Sequence, residues 1–169
     1  VTRAWAMGLA LEHGPAMRLT CELEAEIEQQ TPSEESSAIY WEVQAIKAML
    51  WALDDRYALA APLARECVES GYCTQWAANV LLNVICGAHM RACEWDQLYA
   101  LPPTQRRSQG NRGYFLHECY RQSLYGLAEM YQGRIVQGIA ALDELQQQAY
   151  QRAEHEPPGQ RGGAEHRAG

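Results

Sequence analysis

Cys86, His89 and Cys93 stand at i, i+3 and i+7. On a helix that spacing lines up a thiol, an imidazole and a second thiol, a donor set that zinc accepts, with His117 and Cys119 available as a fourth ligand from elsewhere in the chain. The same two cysteines also fall where paired helices need small side chains, so packing accounts for them and no metal or other cofactor is expected. Glu22, Glu24 and Glu26 alternate on a helix whose apolar residues Leu19, Leu23 and Ile27 recur at steps of four, which turns the carboxylates toward water. There is no Ser, His and Asp arrangement and no G-x-x-x-x-G-K-[ST] phosphate loop. The expectation is a chain without catalytic residues. Arg106, Arg107 and Arg112 form the one basic cluster, in the stretch PPTQRRSQGNRG at 102–113. In an otherwise acidic protein, such a loop is where an anion or an acidic partner would be focused.

These residues need helices to position them. Ile39, Val43, Ile46, Leu50 and Leu53 follow steps of four, three, four and three, one face of a helix. Asp54-Asp55-Arg56 interrupts the pattern, and a second periodic run through Tyr57, Ala60, Ala61, Ala64, Cys67 and Val68 ends at Gly71, a natural left-handed cap. The segment 38–71 is thus a helical hairpin. Similar pairs are predicted over 2–30, 32–71, 74–101 and 112–154. Gly14-Pro15 serves as stop and start in the first, Thr31 to Glu34 as a capping box for the second, and Gly133 as the turn of the last. Residues 75–92 are apolar almost all round and should form the most buried helix. Pro102-Pro103 should truncate its partner. Ile135, Ile139, Leu142 and Leu145 are the predicted buried stripe of the final helix.

Aligning the turns at Gly14, Asp55, Cys93 and Gly133 gives separations of 41, 38 and 40 residues. Five residues after each turn stand Leu19, Ala60, Leu98 and Gly138, and seven before it Met7, Ala48, Cys86 and Gly126. A period near 40 with small residues at one offset predicts an all-α, right-handed solenoid of about four tetratricopeptide-like helix-turn-helix repeats over 1–154. Residues 155–169 lack any large apolar side chain and read as a disordered tail or linker.

With 169 residues, 47% of them hydrophobic, the chain can bury one core. A formal charge of −7 argues against direct nucleic-acid contact. No run reaches the roughly 20 apolar residues of a membrane span, and no secretory signal opens the chain, so a cytoplasmic protein without membrane contact is expected. The six cysteines sit among Ala and Leu as reduced filler. Val1 in place of Met suggests a piece of something longer.

In a solenoid the first helix of each pair lines the inner groove, where Glu42, Met49, Asn83, Met90, Tyr120 and Met130 are predicted to look inward. The methionines suit an adaptable apolar groove, with Asn83 and Tyr120 as polar anchors. The phrases AIKAMLWALDDRYALAAPLARECVES and YGLAEMYQGRIVQGIAALDEL resemble the central repeat region of the large ATP-binding LuxR-type (MalT-like) transcriptional regulators of bacteria. The resemblance implies a sensor array that receives a small-molecule effector or a regulatory protein and relays it to an ATPase part. That family's phosphate loop and DNA-binding helix are not in this chain, so neither ATP nor DNA binding carries over. The alternative is a stand-alone adaptor that holds a peptide or protein partner. Self-association through exposed end repeats, at Trp5 or at Tyr114-Phe115-Leu116, is also compatible with the sequence.

Overall fold

The computed structural model describes residues 1–31, 33–102 and 112–154, with side chains from 115 to 151 in the last stretch. Every regular element among them is helical: α1 (Thr2–Leu9), α2 (His13–Glu28), α3 (Glu34–Leu53), α4 (Tyr57–Glu69), α5 (Gln75–Arg91), α6 (Trp95–Ala100), α7 (Arg112–Tyr131) and α8 (Ile135–Glu154). The predicted tail at 155–169 lies outside the described residues, as do Arg106 and Arg107.

Helices pair in sequence order through one repeated turn. Leu11, Asp55 and Cys93 have φ of 61°, 63° and 56°, and Gly133 has 82°. At each, the turn residue donates to the carbonyl three residues back and the next residue to the carbonyl five back. Glu12 thus reaches Met7 O at 2.9 Å, Arg56 reaches Trp51 O at 2.8 Å, and Glu94 and Arg134 reach His89 O and Glu129 O at 2.9 Å. This pair of hydrogen bonds satisfies carbonyls that a helix end would leave orphaned, and it holds three ordinary side chains in the left-handed region.

The first turn therefore sits at Leu11 and not at the predicted Gly14. Gly14 and Pro15 lie inside the first turn of α2, where proline has no hydrogen bond to lose. With the turn corrected by three residues, the residues seven before are Ala4, Ala48, Cys86 and Gly126, and those five after are Ala16, Ala60, Leu98 and Gly138. All eight are buried. The helices of a pair touch here. In the last pair the contact is backbone on backbone, since a Cβ on Gly138 would lie 2.6 Å from the Gly126 carbonyl oxygen.

A second correction concerns α3. Its cap is Ser33, whose Oγ accepts from the Ser36 amide at 3.0 Å while Ser36 Oγ accepts from the Ser33 amide at 2.8 Å. The Thr31–Glu34 box does not form. Glu34 instead lies in the first turn, where the helix dipole favours negative charge. Nor is Glu24 a solvated carboxylate: Lys47 Nζ at 2.8 Å and Gln44 Nε2 at 2.7 Å from α3 bind it. Burial works against its charge, but these donors prevail and hold its pKa below the ordinary value.

The first helices form a layer in which α1 meets α3, α3 meets α5 and α5 meets α7, while α2 packs on α3 and α4 on α5. Ile46, Leu50 and Leu81 centre the main core, and Cys86, Leu98, Leu124 and Ala128 form a second cluster. α5 lies in the middle and buries both faces, as its all-round apolar sequence predicts. α8 departs from prediction. Ile135 and Ile139 are exposed and Leu142 and Leu145 only half-buried, because the packing surface for α8 among the described residues is α7. Trp5, one of the two places where exposed end repeats could have self-associated, is buried, with its ring edge-on to Trp76 and the ring centres 4.5 Å apart.

Candidate functional site

The layer of first helices carries a half-open cavity of about 340 Å³. Met49 from α3, Trp76 and Asn83 from α5, His117 and Tyr120 from α7 and Tyr57 from the start of α4 all line it. Its wall is mostly hydrocarbon and aromatic ring, the composition that small-molecule sites favour.

Each polar group at that wall has a traceable reason for its position. Tyr57 follows the Asp55 turn directly, and its ring occupies space left by Gly87, where a Cβ would fall 2.8 Å from the tyrosine hydroxyl. Asp55 pairs with Arg91 at 2.6 Å, and the Arg91 guanidinium stands 5.5 Å from the Tyr57 ring centre. Burial, reinforced by the neighbouring Tyr120 hydroxyl, pushes the Tyr57 phenol up to about 12. It is a neutral hydrogen-bonding group at physiological pH.

On the opposite side Trp5, Trp76 and His117 form a row of edge-on rings, with Trp76 and His117 centred 5.4 Å apart. Asn83 Nδ2 donates to the His117 carbonyl at 3.1 Å, and Asn83 Oδ1 accepts from Arg121 Nε at 3.0 Å. Arg121, only 1% exposed, also donates from Nη1 to the Pro102 carbonyl at 2.8 Å. Its Nη2 and His117 Nε2 are buried without a hydrogen-bond partner. Burial first, and the Arg121 charge second, lower the His117 pKa, so the imidazole is neutral.

Of the predicted groove residues, Met49, Asn83 and Tyr120 surround this cavity. Glu42, Met90 and Met130 do not. Glu42 is a brace that accepts from Trp5 Nε1 at 3.1 Å and from Thr74 Oγ1 at 3.1 Å. Met90 packs against the second core cluster, and Met130 lies where a side chain on Gly138 would strike it. Arg112 opens α7, with a side chain outside the described set.

The candidate zinc ligands do not converge. Cys86 is buried in the second cluster and Cys93 is exposed at its turn. His89 Nδ1 lies 2.7 Å from Glu94 Oε2, and its Nε2 lies 3.4 Å from Arg65 Nη2. Both ring nitrogens are thus engaged. No group of three or more ligating side chains gathers among the described residues.

Tyr57, Trp76, His117 and Arg121 were not expected in a groove. Tyr57 and Trp76 fit their helical periodicity as packing residues, and His117 stood out only as a distant ligand. Arg121 did carry a signal: with Leu124 and Ala128 it forms steps of three and four, a charge set within a buried stripe. No protein-family model matches the chain, and neither a curated protein nor a solved structure matches it.

Proposed function

We propose that this chain is a non-catalytic sensing module, a right-handed solenoid of four tetratricopeptide-like helix pairs whose first helices receive a small-molecule effector. The observation that carries this reading is the apolar cavity of about 340 Å³ on the layer of first helices, with a few polar groups converging on it. The shared turn geometry and the eight buried residues at matched offsets support the repeat architecture. The resemblance to the sensor region of bacterial LuxR-type regulators supplies the context: a segment that works in the cytoplasm and biases a neighbouring signalling domain. No helix among the described residues is long and apolar enough to cross a membrane.

Thermal unfolding in the presence of a small-metabolite panel tests this. A true effector should stabilise the folded chain saturably, by about 2.7 kcal/mol when its free concentration is about a hundred times Kd. Ala52→Phe, which projects a ring into the cavity, should abolish that gain. Stabilisation by peptides alone, with silence from every metabolite, would favour the adaptor reading instead.

A further inference from the structure

We infer that the effector is an amphipathic acid, with an apolar or aromatic body and one anionic group that the buried Arg121 counterbalances across the cavity wall. The inference rests on the sensing role proposed above and names the chemical class that the same site would take.

The strongest observation is a buried charge without a counter-charge among the described residues. Arg121 is 1% exposed, and a guanidinium does not lose its proton in a protein. Its partners are an amide oxygen of Asn83 and the carbonyl of Pro102, both neutral. None of the ion pairs among the described residues includes it, and one of its terminal nitrogens has no partner. The linker 103–111, PTQRRSQGN, has no carboxylate to offer. Buried charges are normally paired, because desolvation is otherwise uncompensated.

The second observation is the direction in which that charge can be met. Asn83 and His117 both line the cavity, and Asn83 is directly hydrogen-bonded to Arg121. Arg121 is therefore one hydrogen bond behind the wall. His117 belongs to that wall; its Nε2 is buried behind the surface without a partner, and an imidazole nitrogen carrying its proton donates to an anion once the ring turns to present it. A carboxylate lying against Asn83 stands one hydrogen bond from Arg121 and meets its field, and a turn of the His117 ring adds Nε2 as a donor. The rest of the ligand meets Met49, Trp76 and Val84, which accept hydrocarbon or a flat ring and offer nothing to a second charge.

Titration calorimetry of the full chain with matched acids and amides decides it, using octanoate with octanamide and indole-3-acetate with indole-3-acetamide. At least one acid should bind about tenfold or more tightly than its amide, the ratio that a charge-assisted hydrogen bond supplies. Arg121→Met should bring that acid and its amide to similar affinity. His117→Phe keeps the guanidinium and removes Nε2; it should narrow the ratio, whereas a merely structural change would weaken acid and amide alike. This second variant stands on its own if Arg121→Met does not fold. Equal affinity of acids and amides for the unmodified chain would overturn the inference while leaving the sensing role intact. Binding by none of the four would count against both. Acid binding that tightens when Glu154, Glu156 and Glu165 are all changed to Gln would make the chain's own carboxylates the counter-ion, and would also overturn it.

Discussion

Leu11 and Cys93 carry exposed side chains at φ of 61° and 56°, positions that hold the reversal of their helix pairs and nothing else. Left-handed backbone costs a side chain about 1–2 kcal/mol, and glycine returns about 0.5–1 kcal/mol of that through its freedom in the unfolded chain. Leu11→Gly and Cys93→Gly should each raise stability by about 0.5–1 kcal/mol in urea titration. An unchanged or lowered midpoint would mean that the turns are not strained. Asp55 is a different case, because its carboxylate pairs with Arg91 beside Tyr57. At this scale the sequence was readable where propensity and conformation agree, as at Gly133. It misled at Gly14, because a Gly-Pro pair signals a break more loudly than the leucine that makes it. A strained residue leaves no compositional trace when the hydrogen bonds that hold it run between backbone groups.

The helix pairs depend on how closely two backbones can approach. Small residues at both offsets, Leu98 excepted, let them touch, and in α7 and α8 both positions have become glycine. A methyl group on Gly138 meets the Gly126 carbonyl oxygen, which cannot rotate away as a side chain end can. Gly138→Ala should therefore destabilise the chain by about 1–3 kcal/mol, measured by thermal unfolding, even though alanine is the better helix former. Stabilisation would disprove the close crossing. The offsets were legible in three pairs and displaced by three residues in the first, where Met7 and Leu19 stood in for Ala4 and Ala16. The exposed Ile135 and Ile139 show the converse limit. Periodicity identifies the apolar face of α8, but what that face packs against is fixed by neighbouring elements that the helix's own sequence does not encode.

Among the described residues, burial is densest in the middle. α5 contacts α3, α4, α6 and α7 and buries eleven of its seventeen residues, whereas α8 has one packing partner among the described residues. Cooperative units with few buried contacts open first. Hydrogen exchange should accordingly find the slowest amides in α5 and the fastest helical amides in α8, with α7 between them. Uniform protection of α5 and α8 would contradict this gradient. All-helical architecture was legible from periodicity alone, as was the burial of α5. The cavity was legible only at Met49, Asn83 and Tyr120, because its wall is drawn from helices far apart in sequence and its lining residues form no motif.

The row of Trp5, Trp76 and His117 has a further, optical consequence. Two indoles in edge contact at 4.5 Å couple their electronic transitions and should give the folded chain a structured near-ultraviolet circular dichroism band. Only one of them, Trp76, touches the cavity. A molecule that enters there alters the surroundings of one chromophore and, through it, the coupled spectrum of both, so the protein carries its own unlabelled reporter of occupancy.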